Sequence, residues 1–194
     1  SLPERKILVT LMIHHLVGID AATGELLWSQ KQDRSNDIHC NTPVYENGFI
    51  FSNDRGGNGT LKLELSPDGR TIKEVWRNFK SGNVQGGFIH TGNYLYGSRY
   101  RPPRFESLDA GSGEIADSLK FGCGSTIFAD GMLYCYNDQG MVGLIRPDQG
   151  KLELVSSFKV TDGTLEHFAH PVICDGVLYI RHGKALIAYD IRKK

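Results

Sequence analysis

Three imidazoles, those of His39, His167 and His170, stand in this 194-residue chain where they could act together. They share a register with Asn41, Gln85 and Ser125, in polar segments just ahead of apolar runs. The segments are Ile38-His39-Cys40-Asn41, Val84-Gln85-Gly86-Gly87, Gly122-Cys123-Gly124-Ser125 and His167-Phe168-Ala169-His170. Imidazole nitrogens suit transition metals, and the amides and hydroxyl would orient a polar ligand. The competing reading is that small polar residues are needed wherever many strands crowd one axis, with each imidazole spent on the backbone. His14-His15 would send one ring to each side of a strand and cannot chelate through both. His90 and His182 read as structural strand histidines. Arg99-Tyr100-Arg101-Pro102-Pro103-Arg104 is either a phosphate or acidic-partner contact or a solvated hairpin tip.

The elements that position these residues repeat. Pro43-Val-Tyr-Glu-Asn47-Gly48-Phe-Ile-Phe51 is echoed by Phe88-Ile-His-Thr-Gly92-Asn93-Tyr-Leu-Tyr96. It is echoed again by Thr126-Ile-Phe-Ala-Asp130-Gly131-Met-Leu-Tyr134 and Pro171-Val-Ile-Cys-Asp175-Gly176-Val-Leu-Tyr179. Asn-Gly or Asp-Gly between short β-rich runs predicts a hairpin, because a type I′ turn needs positive φ at both central residues. A second phrase, Gly18-Ile-Asp20-Ala-Ala-Thr23-Gly24-Glu25-Leu-Leu-Trp28, recurs in decayed form. Its copies are Leu65-Ser-Pro-Asp68-Gly69, Leu108-Asp109-Ala-Gly-Ser-Gly113 and Ile145-Arg146-Pro-Asp148-Gln-Gly150. The turn glycines at 24, 69, 113 and 150 are 45, 44 and 37 residues apart. Two hairpins per unit of that length make four short strands, which predicts an all-β propeller of four-stranded antiparallel blades. The predicted blades are 38–78, 84–121 and 124–159, with partial ones at 1–30 and 167–194. Both ends fall within a blade, so the expectation is part of a seven- or eight-bladed ring. The remaining blades, or a second copy of the chain, would cover the open edges.

Composition narrows the function. The chain carries 22 basic and 22 acidic residues with no basic stripe, which excludes a dedicated nucleic-acid surface. No apolar run is long enough for a transmembrane helix. Cys40, Cys123, Cys135 and Cys174 have no CxxC spacing and read as buried free thiols in strands, although four cysteines permit three disulfide pairings. Asp54-Arg55-Gly56-Gly57-Asn58-Gly59 reads as a flexible tip rather than a nucleotide loop. No G-x-S-x-G elbow, H-E-x-x-H or EF-hand loop is present.

The phrase from Asp20 through Thr23, Gly24 and Glu25 to Trp28 resembles the tryptophan-docking repeat of the pyrroloquinoline-quinone (PQQ)-like propellers. That family includes quinoprotein alcohol dehydrogenases and the assembly lipoprotein BamB. In it, Asp20 and Thr23 would close the turn, Gly24 would supply positive φ, and Trp28 would pack between blades. The later copies keep Gly69, Asp109, Gly113 and Gly150 but drift elsewhere. Trp76 lies seven residues after Gly69, while Asp117 and Leu154 stand at the tryptophan count in the third and fourth copies. The resemblance implies a bacterial protein exported to the periplasm. It would be a non-catalytic binding or scaffold module for a protein, peptide or glycan, with His39, Asn41, Gln85, Ser125, His167 and His170 at a channel mouth. A quinoprotein oxidoreductase using PQQ and calcium, or a metal-dependent enzyme, is the alternative. The dehydrogenases' vicinal cysteine pair is missing, so no cofactor is expected.

Overall fold

The hairpin turns take the backbone their residues require. Asn47-Gly48, Asp130-Gly131 and Asp175-Gly176 have φ of 47/84, 51/74 and 50/73°, the double left-handed pattern of type I′. In Gly92-Asn93 only Gly92 is left-handed, at 59°, as in type II′. The computed structural model describes residues 5–32, 40–54, 57–83 and 85–192; the described residues contain strands and no helix. Two units divide the chain, residues 1–87 with 111–114 and residues 88–110 with 115–194.

The first unit holds a three-stranded sheet of β1 (Ile7–Leu11), β2 (His15–Asp20) and β3 (Leu26–Lys31). Its second sheet has four strands, β4 (Val44–Glu46), β5 (Phe49–Asp54), β6 (Gly59–Leu65) and β7 (Ile72–Asn78). All pairings are antiparallel between sequence neighbours. Leu16, Trp28, Ile50, Leu61, Leu63 and Leu65 form the core. Each such side chain contributes about 1.5–3 kcal/mol on burial. Of the expected flexible tip from Asp54 to Gly59, residues 55 and 56 lie outside the described residues. Asp54 and Asn58 are 4% and 2% exposed, and the Asn58 amide donates to Asp54 Oδ2 at 2.5 Å.

The second unit begins with β8 (Ile89–Thr91), β9 (Tyr94–Arg99), β10 (Arg104–Asp109) and β11 (Ile115–Leu119) as one sheet. β12 (Gly124–Ala129), β13 (Met132–Asn137), β14 (Met141–Asp148) and β15 (Lys151–Lys159) form the next. β16 (Val172–Cys174), β17 (Val177–His182) and β18 (Ala185–Asp190) form a three-stranded last sheet. One core gathers Tyr96, Phe105, Leu133, Cys135 and Ile145, and a second gathers Tyr136, Val142, Val160, Leu178 and Ile180. None of the four cysteines forms a disulfide. Cys123 and Cys135 are buried as expected, but Cys40 and Cys174 are exposed because each lies on a short edge segment.

In every sheet that has its fourth strand, and in the first, a β-bulge interrupts the last pairing at the same register. Just before it, one row of paired residues crosses the sheet. The rows are Val9–Gly18–Trp28, Phe51–Lys62–Trp76, Tyr96–Ser107–Asp117 and Tyr134–Leu144–Ser156. The fourth row corrects the residue count, which puts Leu154 at the position equivalent to Trp28. In that hairpin the ladder continues to Asp148↔Lys151 and closes through Gln149-Gly150, so extra residues enter between the glycine and the bulge. Leu154 pairs with Ile145 on the turn side of the bulge, and Ser156 takes the row.

Candidate functional site

The repeat turn is built as its residues suggest. Asp20 Oδ1 accepts the Ala22 and Thr23 N–H groups at 2.9 and 3.1 Å, and Thr23 Oγ1 accepts that of Glu25. Those backbone donors, with Arg5 at 2.9 Å, hold the Asp20 carboxyl below the usual carboxylate range. Trp28 is 6% exposed, and its ring covers Gly18, where any side chain would collide with it. Trp76 covers Gly113: a Cβ there would lie 2.5 Å from the indole, and φ of +77° independently favours glycine. In the third copy, which lacks tryptophan, Asp117 Oδ2 accepts the Leu152 N–H at 2.9 Å. There Tyr94 packs on Gly150, and the Ser107 hydroxyl donates to the Gly150 carbonyl. These residues join sheets and leave little free for a ligand.

The residues aligned ahead of the apolar runs are placed as follows. His39 lies outside the described residues. In the first unit, Asn41 is 8% exposed and fully engaged. Its Nδ2 donates to the Asn83 carbonyl at 2.7 Å and toward that of Asn53 at 3.4 Å, and its Oδ1 accepts the Gly87 N–H at 3.1 Å. Gln85 is half-buried; its backbone pairs with Cys40 in a parallel bridge and donates to Asn83 Oδ1 at 3.3 Å. In the second unit Ser125 is fully buried on β12, and its hydroxyl has no hydrogen-bond partner. His167 is half-buried beside Tyr136 and His182, and His170 is exposed. Among the described residues no three His, Cys, Asp or Glu side chains are grouped to hold a metal ion.

Two features of the second unit went unanticipated. Glu106 on β10 is 2% exposed, with Arg99 Nε 3.0 Å from its Oε1. The ion pair is poorly aligned, and neither carboxyl oxygen accepts a hydrogen bond. Burial therefore outweighs the attraction of Arg99 and Arg104 and raises this carboxyl to about 7. The other feature is a cleft of about 240 Å³ at the fourth row, lined by Tyr134, Leu144, Ser156, Phe158, Leu178 and Ile191. Its walls are apolar apart from the Ser156 hydroxyl and the tyrosine tip. Among its lining residues Leu178 belongs to β17 and Ile191 follows the edge strand β18, whose Leu186 is 70% exposed. Only the apolar alternation of β14 and β15 hinted at it, and the bulge hid which residues share a face.

No protein-family model matches the sequence, and no curated protein matches it. Solved structures do. Sqt1 of Saccharomyces cerevisiae superposes with a TM-score of 0.73 at 12% identity, covering 98% of this chain and 58% of Sqt1. BamB of Moraxella catarrhalis gives 0.68 at 13% identity, covering 97% of this chain and 55% of BamB. The computationally designed protein Ika8 gives 0.60 at 10% identity, over 96% of this chain and 58% of the design. The chain thus spans somewhat over half the length of these structures. With its antiparallel sheets of three and four strands, it has the all-β fold of part of a β-propeller.

Proposed function

We propose that this chain belongs to an exported, non-catalytic propeller of the PQQ-like repeat group, which binds or scaffolds a protein or peptide. The observation that carries the reading is the cleft at the fourth row. Its lining includes Leu178 of β17 and Ile191, which follows the edge strand β18, and in our reading an extended peptide pairs with that strand and buries alternate side chains in the cleft. By contrast, Asn41 and His167 are occupied by backbone groups and side chains of the chain itself. A glycan would find few polar partners among the cleft residues. The Asp20–Trp28 turn supplies the residues on which the repeat-group assignment rests, and BamB shares the propeller fold at 13% identity.

Calorimetric titration with short synthetic peptides of alternating apolar and polar residues tests the proposal, with Leu144→Glu as the control. Saturable binding lost in the variant supports it. No binding by any peptide, or an absorbance change with PQQ and calcium followed by alcohol turnover, would overturn it.

A further inference from the structure

Each sheet row ends on the last strand of its sheet, and in three rows the end residue reaches a neighbouring segment. Trp28 shares a core with Ile50, Leu61 and Leu63, and its ring lies over Gly18. Trp76 lies over Gly113 and meets Phe51, which begins its own row, with ring centroids 6.1 Å apart and planes at 47°. Asp117 accepts the Leu152 N–H. The fourth row ends on Ser156, whose short side chain leaves the place open, and the cleft of about 240 Å³ lies there.

The cleft shares an aromatic wall with the place of the second row's indole. Tyr134 stands where Phe51 stands, Leu144 takes the place of Lys62, and Leu178 and Ile191 add apolar walls. An aromatic ring entering beside Tyr134 gains a ring contact like the one Phe51 gives Trp76. No carboxylate or cationic side chain lines the cleft, so a charged anchor would be desolvated without a partner. The Tyr134 and Ser156 hydroxyls are its side-chain acceptors, and an indole N–H can donate to either. Trp28 lacks even that, since its Nε1 is buried with no hydrogen-bond partner. Drug-sized ligands take pockets of about 300–1,000 Å³, so the smaller volume here suits one large side chain.

We propose that this cleft is a docking site for the indole of a partner's tryptophan, which takes the place that Trp28 and Trp76 hold in their own rows. The inference rests on the peptide reading above and names the side chain that the cleft selects. Ser156 is exposed and Phe158 is 38% exposed, so the β15 side of the cleft is open to an entering ring. A buried aromatic anchor of this kind carries much of the affinity of an interface, while the contacts around it mainly exclude water.

Calorimetry on the full chain with two extended peptides, differing only in a central tryptophan or alanine, tests the site. N-acetyltryptophanamide probes the ring alone. The tryptophan peptide should bind about tenfold or more tightly than the alanine peptide. Ser156→Trp, which brings its own indole to the cleft, should weaken tryptophan-peptide binding by about tenfold or more, whereas Leu154→Trp should bind as the wild type does. In the unmodified protein, nuclear Overhauser contacts should join the peptide's indole to Leu144 and Leu178, a readout that holds even if Ser156→Trp fails to fold. Equal affinity for the two peptides, or indole contacts elsewhere, overturns the indole site and leaves the peptide reading intact. If neither peptide binds, the peptide reading falls; N-acetyltryptophanamide binding that Ser156→Trp abolishes would then support the ring site alone, and its absence would overturn both.

Discussion

Glu106 carries the largest carboxyl shift among the described residues with a printed value, and its pH dependence has a definite sign. The unfolded carboxyl titrates near 4.5 and the folded one at about 7, so the native state holds the extra proton between them. The associated stability is complete below about 4.5 and lost as pH rises through about 7. Glu106→Gln keeps a neutral side chain of the same shape. Urea unfolding at pH 5 and pH 8 should therefore show a steeper loss of stability with pH in the wild type than in the variant; equal slopes would refute this. The sequence could not show it. Phe105, Glu106, Ser107 and Leu108 are all at most 2% exposed, so β10 is buried on both faces and alternation no longer separates inside from outside. The opposite holds at Asp20 and Thr23, whose hydrogen bonds are local and could be read from a few residues of spacing. Asn41 and His167 fall between these cases. Their polarity was legible, but their partners, Asn83, Gly87, Tyr136 and His182, are 15 or more residues away.

Hairpins were the most legible elements, because each rests on a two-residue conformational demand that Asn-Gly and Asp-Gly meet. The sheet rows were less legible. A bulge shifts every later side chain to the other face, and counting from the turn glycine does not reveal where it falls. Trp28 and Trp76 end equivalent rows of their two sheets although one lies four and the other seven residues after its glycine, because their turns differ in length. The fourth row offers a direct test of register against count. Ser156→Trp should place an indole in the 240 Å³ cleft and raise stability by about 0.5–2 kcal/mol, as cavity-filling substitutions do. Leu154→Trp, at the position favoured by counting, should bring no gain, since Leu154 is 43% exposed and does not line the cleft. Thermal or urea denaturation of both variants decides it: a gain for Leu154→Trp alone would set the tryptophan position by count.

The propeller architecture was legible because it depends on period, four strands per repeat, which survives the decay of individual motifs. How the ends of such a chain are covered depends on partners that no local pattern encodes. The last sheet ends at β18, whose alternating side chains include Leu186, 70% exposed, and whose outer edge pairs with no strand among the described residues. Phe158 of β15, 38% exposed, packs with its ring 4.7 Å from that of Tyr189 on β18. Strand edges of this kind attract other strands, and a lysine placed on the edge opposes pairing by desolvation and charge. The 194-residue chain should therefore associate as its concentration rises. Sedimentation velocity at low and high concentration should show the shift in wild type and a smaller one in Leu186→Lys. Adding a cleft-binding peptide should lower the association of the wild type as well, since both would use the β18 edge. A chain that stays monomeric throughout, or a Leu186→Lys variant that associates like the wild type, would show that β18 is not the attachment edge.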